Sequence, residues 1–189
     1  QKQLLFEEQH LERLKKASRY FAYPFNPENL RQKIEKECQV CDVNQDYRLR
    51  VTLSKSGEIE LSRQILAPLS PSFCKAKLCL QEADLNQSFT YFKTTHRPHL
   101  SLGEQEKIYH NAAGGLLETS IGNLVLKIAG KLYTPPTSLG ILPGIYRQHL
   151  LETGQVKEKI MTLEDLNQAE AIYGCSAVRG LYELEVNSK

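Results

Sequence analysis

A proline- and serine-rich break, Leu66-Ala67-Pro68-Leu69-Ser70-Pro71-Ser72-Phe73, constrains this chain more than any other feature. Proline fixes φ and removes a backbone donor, so regular structure does not run through such a segment. It reads as a linker or domain boundary. The expected division is a first domain over 1–66, a linker over 67–75 and a second domain over 76–189. A length of 189 residues suffices for one large domain or two small ones, each with room for a core.

The patterns on the two sides differ. Before the break, Leu4, Leu5, His10, Leu11, Leu14, Ala17, Ser18 and Phe21 recur at three- and four-residue spacing, which predicts a helix over 3–21. Tyr23-Pro24-Phe25-Asn26-Pro27 ends it, and a second helix opens at Asn26 or Pro27 and runs to Glu37. Alternation over Tyr47–Leu53 and Glu58–Leu61, with Gly57 between them, predicts a β-hairpin. After the break, strands are expected over 76–80, 88–92, 115–118 and 124–129, and another ends at Leu132-Tyr133-Thr134-Pro135-Pro136. Leu142-Pro143-Gly144 leads into a helix over 145–153, closed by Gly154. Thr162 caps a further short helix, and Ala171–Tyr173 reads as a buried strand.

Composition excludes several function classes. A net charge of +2 gives no electrostatic case for nucleic acid or a membrane surface. No apolar run approaches the roughly 20 residues of a membrane span, and nothing reads as a signal peptide. Five cysteines, an odd number, favour reduced thiols and a cytoplasmic location. Cys38 and Cys41 form a C-x-x-C pair, but Cys74 and Cys79 make a poor second half of a zinc site, so scattered free thiols and no metal are expected.

The chemistry-bearing residues lie mostly in the second half. Lys93 follows the apolar run ending at Phe92, and Glu118 stands 25 positions later. Alone, a lysine there is usually a surface residue. Thr119-Ser120-Ile121-Gly122-Asn123 is a small polar turn that admits close backbone approach to a ligand. Gly140-Ile141-Leu142-Pro143-Gly144-Ile145 delivers the chain into a helix N-terminus, where free N–H groups and the helix dipole favour an anion. Ser176-Ala177-Val178-Arg179-Gly180 is a second turn of small residues that suits the same anion. Arg13 sits on the first helix among polar neighbours.

Together these runs resemble the class IV aminotransferases, the fold-type IV enzymes of pyridoxal 5'-phosphate (PLP). The matching segments, in order, are His10–Leu14, Lys93–Arg97, Glu118–Asn123, Thr134–Pro136, Gly140–Ile145 and Ala177–Gly180. The resemblance implies an α/β (α+β) fold: a small α/β domain and a larger β-rich pseudo-barrel domain, with PLP between them. It assigns Lys93 as the Schiff-base lysine and Glu118 as the carboxylate facing the pyridine nitrogen. Arg13, Ile145, Tyr146, Ser176 and Ala177 take the phosphate, with Ile121 and Gly122 in the cofactor turn. His96, Pro98 and the Ser176-Ala177 pair depart from the family's usual residues.

The K-T-T-x-R and V-R-G runs resemble the aminodeoxychorismate lyase branch most. That branch implies release of pyruvate and formation of 4-aminobenzoate for folate synthesis. Arg97, Arg179 and Arg50 are then candidate ligands for the two substrate carboxylates. A branched-chain or D-amino-acid transaminase and an inactive PLP-fold module are the alternatives. The family implies a homodimer acting on a small molecule, without nucleic acid or membrane. The chain starts at Gln1 and lacks the family's opening strands, so the expectation is a trimmed chain or the trailing module of a longer one, fused behind a chorismate-aminating synthase.

Overall fold

The structure is a computed structural model that describes residues 4–81, 90–97, 99–100 and 103–186. Its contacts divide the chain into two units, Gln1–Pro68 and Leu69–Lys189.

The first unit has two helices, α1 (Glu7–Tyr20) and α2 (Pro27–Gln39), and a hairpin, β1 (Tyr47–Leu53) with β2 (Ile59–Ile65). α1 starts later than its apolar spacing predicts, because Phe6 adopts left-handed backbone and ends the helix there. α2 starts where the sequence indicates. The Asn26 side chain accepts the N–H groups of Glu28 and Asn29 at 3.0 and 3.2 Å, and Pro27 supplies a fixed helical φ. In the hairpin, Gly57 has φ 85°, a conformation costly for any side chain, and an added Cβ would also meet Pro24 at 2.9 Å. Leu11, Leu30, Ile34 and Ile59 form the core, with Leu14, Phe25, Leu49, Val51 and Leu61 packed around it. Each such side chain contributes about 1.5–3 kcal/mol by leaving water.

The second unit begins with one helical turn, α3 (Pro71–Cys74), where the linker was expected to continue; Ser70 caps it by accepting the Phe73 N–H. The strands are β3 (Lys75–Leu80), β4 (Lys107–His110), β5 (Leu116–Thr119), β6 (Asn123–Ile128), β7 (Lys131–Thr134), β8 (Val156–Glu158), β9 (Ala171–Ser176) and β10 (Gly180–Val186). Helices α4 (Ile145–Glu152) and α5 (Leu163–Gln168) interrupt them. The sheet order is β5-β4-β3-β10-β9-β6-β7-β8, and β5 also pairs with β6 through Glu118 and Asn123. Six strands therefore close on themselves, which leaves no open edge within the ring. β7 and β8 extend the sheet from β6.

The apolar strands of this unit are buried on both faces. Ile108, Leu116, Leu124 and Leu126 enter one core with Met161, Tyr182 and Leu184. Their neighbours point the other way: Val125 packs with Leu150, Val156 and Cys175, and Tyr109 and Leu117 pack with Ile141. This explains the unbroken Leu-Val-Leu run of β6, which a sheet with one wet face would have interrupted with polar residues.

Two strand expectations are corrected. Thr90–Phe92 form no strand, whereas Ser88 and Phe89 lie outside the described residues. β9 runs to Ser176, and its buried residues are Gly174 and Cys175, not Ala171–Tyr173. β4, β8 and β10 carried no expectation.

Candidate active site

Glu118 is the last residue but one of β5, where the chain turns back into β6. The turn is held by Thr119, whose N–H donates to the Gly122 carbonyl at 2.9 Å while its Oγ1 accepts the Gly122 N–H at 3.0 Å. That fixes the last residues of β5, and Glu118 is left only 2% exposed. Nη2 of Arg97 stands 3.3 Å from its Oε1. Burial pushes the Glu118 carboxyl up to about 7; the Arg97 guanidinium, the Leu142 N–H and the Lys93 ammonium act against that rise. Lys93 is thus within the electrostatic reach of Glu118, but it is exposed and sits on irregular chain, not on a strand end. Thr94 shapes that segment, donating its hydroxyl to the His96 carbonyl at 2.6 Å. Nε of Arg97 is buried with no hydrogen-bond partner.

Three turns converge beside Glu118. The Asn123 amide donates to the Leu142 carbonyl at 2.9 Å, which ties the β5–β6 turn to the segment entering α4. A Cβ at Gly144 would collide with Oδ1 of the same Asn123. A Cβ at Gly122 would stand 2.5 Å from the Cys175 carbonyl at the end of β9. A Cβ at Gly180, after the β9–β10 turn, would lie 3.5 Å from the Tyr146 hydroxyl on α4. Ser176 closes that turn by accepting the Arg179 N–H on its Oγ at 3.3 Å. Gly122 lets its backbone approach that of Cys175, and Gly144 leaves room for the Asn123 side chain. α4 starts at Ile145 behind Gly144, which offers no side chain to cap the first turn. A helix N-terminus among glycine turns fits a phosphate group. A buried carboxylate with one guanidinium partner fits a protonated ring nitrogen.

The predicted residues fall into two sets. Lys93, Arg97, Glu118, Ile121, Gly122, Ile145, Tyr146, Ser176, Ala177 and Arg179 all lie in the second unit. Arg97 is paired with Glu118. Arg13 and Arg50 belong to the first unit: Arg13 is half-buried on α1, 3.4 Å from His10 Nδ1, and Arg50 is exposed in the middle of β1.

One important residue gave no signal in the sequence. Glu106, fully buried, sits behind the β5–β6 turn. It accepts the Ser120 N–H at 2.8 Å, the Ser120 hydroxyl, the Lys107 N–H at 3.3 Å and the Tyr182 hydroxyl at 3.0 Å. Burial and the Glu106 charge both hold the Tyr182 phenol far above its usual range, so it stays a donor. Glu106 lies in the polar run Gly103-Glu104-Gln105-Glu106-Lys107, which reads as surface.

Comparison with known proteins gives the family. The family model for class IV aminotransferases matches residues 1–185. An uncharacterised protein of Haemophilus influenzae is 37% identical over 137 residues, covering 72% of this chain and 67% of its own length. The aminodeoxychorismate lyase of Saccharomyces cerevisiae is 25% identical over 82% of this chain, and the match spans 55% of the yeast protein. Among solved structures, an amino-acid aminotransferase candidate from Mesorhizobium loti superposes with a TM-score of 0.83 at 25% identity, covering 95% of this chain and 91% of that one. With a family model spanning almost its whole length and a closed β-unit that brings Glu118 to three glycine turns, the chain belongs to the class IV aminotransferases.

Proposed function

We propose that this chain is a 4-amino-4-deoxychorismate lyase, which splits its substrate into pyruvate and 4-aminobenzoate and so serves folate synthesis. The family's cofactor is PLP, and bound PLP supplies an electron sink for the bond-breaking at the substrate's α-carbon. In this reading Glu118 faces the pyridine nitrogen as a carboxylate and favours its protonated form. Ile145 and Tyr146 would give backbone N–H groups to the phosphate, and the Ser176–Ala177 and Ile121–Gly122 turns would complete its cradle. Lys93 would hold the cofactor through its Nζ, and its free amine would take the substrate's α-proton. Arg179 receives a substrate carboxylate. The reading includes a cytoplasmic homodimer.

The observation that favours a lyase is the yeast aminodeoxychorismate lyase, which matches over 82% of this chain. The second reading, an amino-acid transaminase, is favoured by the Mesorhizobium loti structure. Product analysis separates them. The lyase yields 4-aminobenzoate and pyruvate in equal amounts from aminodeoxychorismate and no keto acid from branched-chain or D-amino acids. A keto acid formed from those amino acids, with no 4-aminobenzoate from aminodeoxychorismate, would establish the transaminase.

A further inference from the structure

Glu118 is buried, yet its role needs it charged at neutral pH. A lone carboxylate in that position would take up a proton, because moving the charge out of water costs several kcal/mol. The charged groups acting on Glu118 are Arg97 and Lys93; the Leu142 N–H is its neutral donor. Those two cations are not equivalent. An ammonium loses its charge when the amine reacts or is deprotonated, whereas a guanidinium is charged at every working pH. Lys93 is also exposed, so solvent screens it, while the Arg97 side chain is 14% exposed and in direct contact at 3.3 Å.

We propose that Arg97 is a positioning residue for Glu118: its permanent charge holds down the proton affinity of the Glu118 carboxylate and aims it, whatever the state of Lys93. Two observations beyond the contact support this. The chain between Lys93 and Arg97 is fixed by the Thr94–His96 and Thr94–Phe92 hydrogen bonds, so both cations come from one short segment while the carboxylate comes from β5. The His99 imidazole is held below its usual range by burial, and then by the charges of Arg97 and His96, so it adds no competing cation at neutral pH. Pairing has a second consequence. A carboxylate already compensated by a guanidinium is a weaker base than a lone buried one. Arg97 therefore also limits how firmly Glu118 holds a proton on a ring nitrogen. That consequence rests on the PLP reading; the pairing does not.

The test reads the charge of Glu118 directly. Carboxylate carbons are labelled in the full chain, with and without PLP, and followed by NMR against pH in wild type, R97Q and R97K; the signal is assigned with E118Q. The account expects Arg97→Gln to raise the proton affinity of Glu118 tenfold or more in the cofactor-free chain, and Arg97→Lys to recover most of that change. In the PLP-loaded chain the pH dependence of the visible absorbance moves the same way. An unchanged Glu118 midpoint in Arg97→Gln would overturn the proposal. If that variant does not fold, the Arg97→Gln/Glu118→Gln double variant decides: recovery of folding shows that the uncompensated carboxylate was at fault, and continued unfolding assigns Arg97 a purely structural role. None of these outcomes depends on which product the enzyme releases, so failure here is distinct from failure of the lyase reading.

Discussion

Burial raises the Glu118 carboxyl to about 7, against an ordinary value of 4.5. The folded chain therefore binds this proton more tightly than the unfolded chain. Its contribution to stability is complete below about 4.5 and is lost as pH rises through about 7, on the order of 3 kcal/mol across that window. Urea denaturation of the cofactor-free protein at several pH values is expected to show this decline, and Glu118→Gln to flatten it. A second expectation concerns Tyr182. Removing its hydroxyl in Tyr182→Phe takes one of the donors from the buried Glu106 carboxylate and costs about 1–3 kcal/mol, read from the denaturation midpoint. These two residues also mark what a sequence makes legible at this scale. Glu118 stands out because it opens a recognisable Glu-Thr-Ser-Ile-Gly-Asn run. Glu106 does not, because a carboxylate satisfied by donors at Ser120, Lys107 and Tyr182 has the same local sequence as a surface charge.

At the scale of elements, the turn between Leu142 and Tyr146 is fixed by contact, not by unusual backbone. Gly144 has φ −69°, open to any residue, but a side chain there would collide with Asn123. Gly144→Ala is thus expected to displace the β5–β6 turn from α4 and weaken PLP binding about tenfold or more, measured by titration of the absorbance, while the helix content by circular dichroism stays unchanged. Wild-type affinity in that variant would remove α4 from the phosphate site. β6 responds differently. Leu126→Ala opens a cavity in the closed sheet and costs about 2–5 kcal/mol. The elements that could be read in advance had strong local signals: Asn26-Pro27 at α2, Gly57 in the hairpin, and Thr162 with Asp165 in a reciprocal capping box at α5. β8 has three residues and is held by pairing with β7, a contact invisible to local pattern. Thr90–Phe92 satisfy strand propensity with their aromatic run but have no partner strand among the described residues.

For the whole molecule, the Pro68 break coincides with the division between the units, and each unit has its own core. The closed order of the second sheet was not legible, since it joins strands more than 100 residues apart, as in the parallel pairing of β3 with β10. That closure nonetheless makes the site, because it brings the ends of β5 and β9 and the start of α4 to one place. Lys93 is proposed to work there as the reactive amine of a PLP enzyme. Its most direct test is Lys93→Ala, assayed for 4-aminobenzoate release from aminodeoxychorismate, with the visible absorbance of added PLP recorded alongside. The account predicts that release falls by about 10²–10⁴-fold or more and that the protein-linked absorbance disappears. Release at the wild-type rate, with that absorbance intact, would contradict it.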